Sequence, residues 1–222
     1  MSELRALLAS SSALRQAGRP FLLATVVGVQ GSSYRRPGAR MILADDAVVA
    51  GSVSAGCLEA DLVRRGWWRT DGRAAALVTY DSVSSDDDLG WGLGLGCNGV
   101  VELLLERSDA GLPDPLAWHA RCLAAERSGC LVTVVRSDDP ALVAPARLAL
   151  DHEGRVVEGA ALVGPDAEGA ALGGPDGERA DRAGSPVIPA GAAREWLLAQ
   201  ARRALGDGVT RAVRSPDGSI GA

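Results

Sequence analysis

Lysine is absent: the 23 basic residues among 222 are all arginine, joined by two histidines, His119 and His152. This removes the P-loop lysine, Schiff-base chemistry and a lysine general base together. Both histidines fall in the second half, so a Ser-His-Asp triad built on Ser52 or Ser54 would have to reach across the chain. Cysteine is sparse. Cys57, Cys97, Cys122 and Cys130 form no C-x-x-C pair and no zinc-type spacing. No apolar run approaches the roughly 20 residues that span a bilayer. Met1 to Gln16 has an amphipathic pattern in place of a signal-peptide core. The expectation is a cytoplasmic protein with reduced thiols. A net charge of −5 supplies no positive field, which argues against nucleic acid and anionic membranes as partners.

What is plentiful is glycine, 28 residues of it, in two frames that each hold a cysteine. The first is Gly51-Ser52-Val53-Ser54-Ala55-Gly56-Cys57-Leu58-Glu59. The second is Gly90-Trp91-Gly92-Leu93-Gly94-Leu95-Gly96-Cys97-Asn98-Gly99. Glycine lets backbone N–H groups come close to a ligand, and consecutive N–H groups make nests for anions. Two such loops suggest two walls of one anion or cofactor site.

Apolar content of 47% is ample for a core, and the periodicities alternate between helix and strand. Leu4, Leu7, Leu8 and Leu14 predict a helix that Gly18-Arg19-Pro20 ends. Phe21 to Val29 predicts a strand; Arg40 to Ala44 and Val48 to Val53 predict a hairpin turning at Asp45-Asp46. A helix is expected from Cys57 to about Trp68, with strands over Ala74–Tyr80 and Val100–Leu105. The second half repeats this order: Pro115–Arg127, Leu131–Val135, the hairpin Arg147–Val157, Ala192–Leu205 and Val209–Val213. Thr25-Val26-Val27 has a counterpart in Thr133-Val134-Val135, and Ala39-Arg40-Met41-Ile42-Leu43 in Ala146-Arg147-Leu148-Ala149-Leu150. The expected fold is α/β, a mixed sheet with flanking helices, in two duplicated halves, 1–108 and 109–222. The second half lacks both glycine frames and is degenerate. It carries instead a Gly/Ala/Pro-rich stretch, Gly159 to Gly191, read as a long loop. Chemistry is therefore expected in the first half, with the second as scaffold or partner surface.

Each candidate residue also has a plainer reading. Cys57 at a helix N-terminus is placed where the dipole favours a thiolate or a bound phosphate; a small buried residue packed at the helix entry is the competing account. Cys97, between Gly96 and Asn98, is harder to explain as core, whereas Cys122 and Cys130 read as core. Arg35, Arg36 and Arg40 suit an acidic ligand, with Arg40 the best placed, against a solvated loop. Ser52 and Ser54 have the wrong spacing for a nucleophile elbow and read as helix caps or ligand contacts. Glu59 complements the helix dipole. Asp86 to Asp88 read as a solvated acidic loop, and Trp67 and Trp68 as packing or an interface. Gly94-x-Gly96-x-x-Gly99 formally matches the dinucleotide fingerprint, yet an acidic run precedes it and β-branched Val100-Val101 follows, where a strand and a helix are required.

The strings Gly31 to Glu59 and Leu93 to Glu106 resemble the XdhC/CoxI family, whose pattern is G-S-x-x-R-x-P-G-A-R/K-M, then G-S-V-S-G-G-C-x-E, then L-G-x-G-C-G-G. The resemblance covers about residues 15 to 106. It implies an accessory protein that binds the molybdenum cofactor (molybdopterin) and assists its sulfuration and insertion into a molybdenum hydroxylase apo-enzyme of the xanthine dehydrogenase or carbon monoxide dehydrogenase type. A cysteine desulfurase is an implied second partner, and a homodimer the implied assembly. Under that resemblance Cys57 and Cys97 lie near the metal or a transferred sulfur. Arg40, Ser52, Ser54, Gly56, Gly94, Gly96, Asn98 and Gly99 hold the cofactor. The chain departs from the pattern at Ala55 and Asn98, where glycine is usual, and has no further glycine fingerprint after residue 106. The alternatives are a thiol-dependent oxidoreductase that uses a nucleotide, and a degenerate interaction module.

Overall fold

A computed structural model describes residues 2–81, 99–140, 142–157, 188 and 191–222. The chain divides into two units, Met1–Leu112 and Pro113–Ala222.

The first unit runs α1 (Glu3–Gln16), β1 (Leu22–Gly31), β2 (Arg40–Ala44), β3 (Ala47–Gly51), α2 (Cys57–Arg69), β4 (Ala75–Asp81) and β5 (Gly99–Arg107). Ser2 caps α1 through its side chain, which accepts from the Arg5 N–H, and the helix buries Leu7, Ser11 and Leu14. The chain then turns at Gly18 in the left-handed region (φ 63°). The five strands form one sheet in the order β3-β2-β1-β5-β4. The β2–β3 connection is the two residues Asp45 and Asp46, both at positive φ (46° and 58°), as a tight hairpin of this handedness requires. The α/β class holds. The expected mixture of strand directions does not: every described pair is antiparallel, with β2 and β3 joined by a tight hairpin and α2 carrying the chain from β3 at one edge of the sheet to β4 at the other.

Side chains alternate across this sheet. Leu22, Ala24, Val26, Met41, Leu43, Val101, Leu103 and Leu105 share one face with Leu58 and Leu62 of α2. Arg40, Thr25, Glu102 and Glu106 therefore take the other face; Thr25 pairs with Arg40 in the β1–β2 ladder.

The second unit runs α3 (Pro115–Ala124), β6 (Cys130–Val134), β7 (Arg136–Ser137), β8 (Ala146–Leu150), β9 (Val156–Val157), α4 (Ala192–Asp207) and β10 (Ile220–Gly221). Its main sheet, β6-β8-β9, repeats the β1-β2-β3 order, and the β6–β8 register matches that of β1–β2 residue for residue. Thr133 pairs with Arg147 as Thr25 pairs with Arg40, and Leu150 pairs with Val156 as Leu43 pairs with Val48. The faces correspond too. Cys130, Val132, Val134, Leu148 and Leu150 pack with Leu197, Leu198 and Ala201 of α4. Leu131, Ala149 and Val157 pack on the other face with Trp118 and Cys122 of α3. One expected element is missing. Residues 209–213 form no strand, since Gly208 ends α4 in the left-handed region (φ 67°); Val213 bonds in both directions to Ala222, while β10 pairs with β7. Most of Gly159 to Gly191 lies outside the described residues.

Candidate functional site

The site is built around the first glycine frame. Gly56 precedes α2 at φ 122°, a conformation open to glycine and costly for other residues, so the backbone can turn sharply into the helix at Cys57. Ala55, where the family pattern has glycine, is not among the residues at positive φ, so the departure costs nothing there. Leu58, Asp61, Leu62 and Gly66 form the buried stripe of α2.

Glu59 ties this loop together. Its carboxylate accepts from the N–H groups of Val53 (3.0 Å), Ser54 (2.8 Å) and Gly56 (3.0 Å), and from the Ser54 hydroxyl. Burial alone would raise its pKa, but the Ser54 and backbone hydrogen bonds outweigh it and hold the carboxyl below the usual range. Glu59 is therefore an acceptor anchored as a carboxylate, a poor proton donor. Ser54 Oγ in turn accepts from the N–H groups of Gly56 (3.1 Å) and Leu58 (3.2 Å) and stands 3.7 Å from Cys57 Sγ. Ser52 Oγ donates to the Ser54 carbonyl at 3.3 Å. Arg35 pairs with Glu3, whose carboxyl is held down chiefly by that guanidinium and also accepts from the Ser52 backbone.

Beside the frame lies a shallow crevice, partly open to solvent, lined by Ser33, Tyr34, Val53, Ser54, Cys57, Leu58, Tyr80, Gly99 and Val101. Tyr80 is fixed from behind. Its hydroxyl donates to Asp61 Oδ2 at 2.6 Å, and the same oxygen accepts from Arg69 Nη2 at 3.1 Å. Arg65 Nε stands 3.8 Å from Asp61 Oδ1. Burial, with the Asp61 hydrogen bond added, pushes the Tyr80 phenol well above its ordinary pKa, so it stays a neutral donor. Gly99 is a close approach: a Cβ there would meet the carbonyls of Gln30 and Ser32, each at 2.6 Å.

Of the residues picked from sequence, Ser54, Cys57 and Gly99 come together in this crevice. Gly56 and Ser52 shape the loop beside it. Arg40 does not line it and takes the opposite face of the sheet from α2. Gly94, Gly96, Cys97 and Asn98 lie outside the described residues, as do Asp86 to Asp88. Among the described residues no group of three His, Cys, Asp or Glu could hold a metal ion. Gly99, the last glycine of the fingerprint-like string, opens β5, a strand, where a dinucleotide motif needs a helix. Burial pushes the Cys122 and Cys130 thiols up; both are half-buried and pack against apolar clusters of the second unit. Sequence reasoning missed Tyr80 and Asp61. A signal was present: Asp61 interrupts an apolar stripe between Leu58 and Leu62, and a carboxylate there demands partners.

Comparison with known proteins agrees with the motif reading. A model of the XdhC and CoxI family matches residues 14–81. A probable xanthine dehydrogenase component of Bacillus subtilis (strain 168) is 42% identical over 86 residues, covering 39% of this chain and 26% of the relative. The crystal structure of a xanthine dehydrogenase from Bacillus halodurans aligns with a TM-score of 0.50 at 30% identity, over 71% of this chain and 44% of the other. The chain thus spans about a quarter of the length of one relative and under half of the other. Among the described residues no helix is long and apolar enough to cross a membrane.

Proposed function

We propose, from the XdhC/CoxI character of residues 14–81, that this protein binds the molybdenum cofactor and assists the maturation of a molybdenum hydroxylase. One observation carries the reading: Cys57 and Ser54 of the first glycine frame line the same crevice as Gly99, the residue that ends the second. Cys97 stands two residues before Gly99 in the sequence.

The residues suit such a ligand. Cys57 offers a soft sulfur, the donor type that heavier transition metals and persulfide sulfur prefer. Tyr34 and Tyr80 offer aromatic walls to a heterocycle. When bound, the cofactor supplies a dithiolene-held metal centre. The chain's own part is to seat the ring, keep water from it and present a thiol. The finer reading places Cys57 and Cys97 near the metal or a transferred sulfur. Its partners are a hydroxylase apo-enzyme and a cysteine desulfurase, and the assembly is a homodimer.

The test is metal and pterin analysis of the full chain purified from a molybdate-supplied host. Molybdenum and an oxidised pterin are expected in near-equal amounts, and both should fall in the double variant Cys57→Ser/Cys97→Ser. Absence of both from the unaltered chain, after reconstitution with free cofactor, would overturn the reading. Full retention by the double variant would overturn the cysteine roles.

A further inference from the structure

The correspondence of the two units extends past the hairpins. In the first, β5 lies between β1 and β4. In the second, Ile220 and Gly221 pair with Ser137 and Arg136 as Val101 and Glu102 pair with Val29 and Gly28. On the other side Gly221 bridges Arg214, and Ala222 exchanges both backbone bonds with Val213. Glu102 and Leu103 pair with Thr79 and Val78 in the same way. β10 with Ala222 therefore matches Val101–Leu103 of β5, and residues 209–213 match β4.

The next stretch of β5, Leu104–Arg107, is held on both sides in the first unit, by Leu22–Thr25 of β1 and by Ala75–Leu77 of β4. Both flanks have counterparts in the second unit: Cys130–Thr133 of β6 and residues 209–212. Each of them is open. Leu22, Leu23, Ala24 and Thr25 are buried, whereas all four residues Cys130–Thr133 are half-exposed. Among the described residues β6 pairs with β8 alone, and its other edge faces away from that ladder. Val209 is 49% exposed, and residues 209–212 form no strand where β4 does. A single uncovered place in the sheet accounts for both differences. It is four residues long and one strand wide, with backbone on either side, and an open, uncharged strand edge of this kind is a template for pairing.

We infer that this place takes an extended segment donated by another protein, antiparallel to β6. The chemistry of the segment follows from β5. Its second residue, in the position of Leu105, pairs with Val132 and shares the α4 face, so it is apolar. Its third, in the position of Glu106, lies opposite Leu131 on the other face and can be polar. Main-chain hydrogen bonds supply affinity and the apolar anchor supplies selectivity. A second copy of this chain does not fit: its β6 would bring β8 alongside, and residues 209–212 bound the place on that side. The inference goes beyond the cofactor reading and stands or falls independently of it.

The experiment follows amide hydrogen exchange of the full chain, residue by residue. The probe is a blocked peptide, Leu-Leu-Glu-Arg-Ser-Asp, which copies residues 104–109. The outward amides of residues 130–133 are expected to exchange fast in the free protein. Peptide at ten times its half-saturating concentration is expected to slow them about tenfold and to leave the amides of β1, already paired on both sides, unchanged. The same peptide methylated on its backbone nitrogens is expected to have no effect, and the peptide with Leu105→Asp to bind at least about tenfold more weakly. Altering the probe leaves the folding of the protein untouched. No slowing by the peptide, or equal slowing by the methylated or Leu105→Asp form, would overturn the inference. Slow exchange of residues 130–133 in the free protein would overturn it too, assigning the edge to the chain itself if the rate ignores protein concentration and to a second copy if it falls with concentration.

Discussion

Glu59 shows how a residue chosen by motif acquires its role from its neighbours. In the sequence it is an acid in the first turn of a helix. In the structure its carboxylate gathers four donors from Val53, Ser54 and Gly56 and so fixes the geometry of the Cys57 loop. Its folded pKa is lowered, so the stabilisation is present above the ordinary carboxylate value of about 4.3 and is lost as pH falls through the lower folded value. Replacing it with Gln removes the charge while keeping the shape. Glu59→Gln is expected to lower stability at neutral pH by about 1–3 kcal/mol and to flatten the loss of stability below pH of about 4. Urea unfolding of both proteins across that range checks this; equal slopes with pH would remove Glu59 from the account.

At the level of elements, the hairpin β2–β3 is the clearest case of local chemistry setting local structure. Its turn needs two residues at positive φ, and the chain supplies Asp45 and Asp46. Aspartate tolerates this region at some cost, whereas glycine enters freely. Asp46→Gly is expected to raise stability by up to about 1 kcal/mol, read as a higher urea midpoint, while Asp45 is left in place because it pairs with Arg19. A lowered midpoint would mean that the Asp46 side chain contributes more than its backbone strain costs. The order of helix, strand and hairpin was legible because each element carries its own periodicity and its own stop, such as Gly18 after α1 and Asp45-Asp46 between strands. Residues 209–213 misled, because a Val-rich segment at the end of a helix resembles a strand until its hydrogen-bond partners are known. Here those partners are the Asp207 carboxylate, for the Val209 N–H, and Ala222, for Val213.

For the molecule as a whole, the matching registers Thr25–Arg40 and Thr133–Arg147 describe two copies of one strand-and-hairpin plan. Each copy has its own apolar cluster: Leu22, Met41 and Leu103 among others in the first, Leu148, Leu150 and Leu197 in the second. A unit with its own core is a candidate for independent folding. Residues 1–112 expressed alone are therefore expected to unfold cooperatively and to keep the Cys57 alkylation rate of the full chain. Non-cooperative melting of that fragment, or a Cys57 that reacts as fast as a free thiol, would show that the first core is insufficient.

Composition and spacing determined, without any coordinates, that lysine chemistry is excluded, that helices and strands alternate, that the halves correspond, and that Cys57 opens a helix inside a glycine frame. These are local properties, carried by residue type and by periodicities of a few positions. The long-range placements required the fold. Whether Arg40 shares a face with Cys57 depends on which way β2 alternates, and that is set by Met41 and Leu43 packing toward α2. That Tyr80, 23 residues beyond Cys57, closes the same crevice depends on the β4–β5 pairing and on the Asp61 hydrogen bond that holds its ring. Direction across a sheet and meeting across a gap are decided by the burial of many side chains at once, and no short stretch of sequence records that sum.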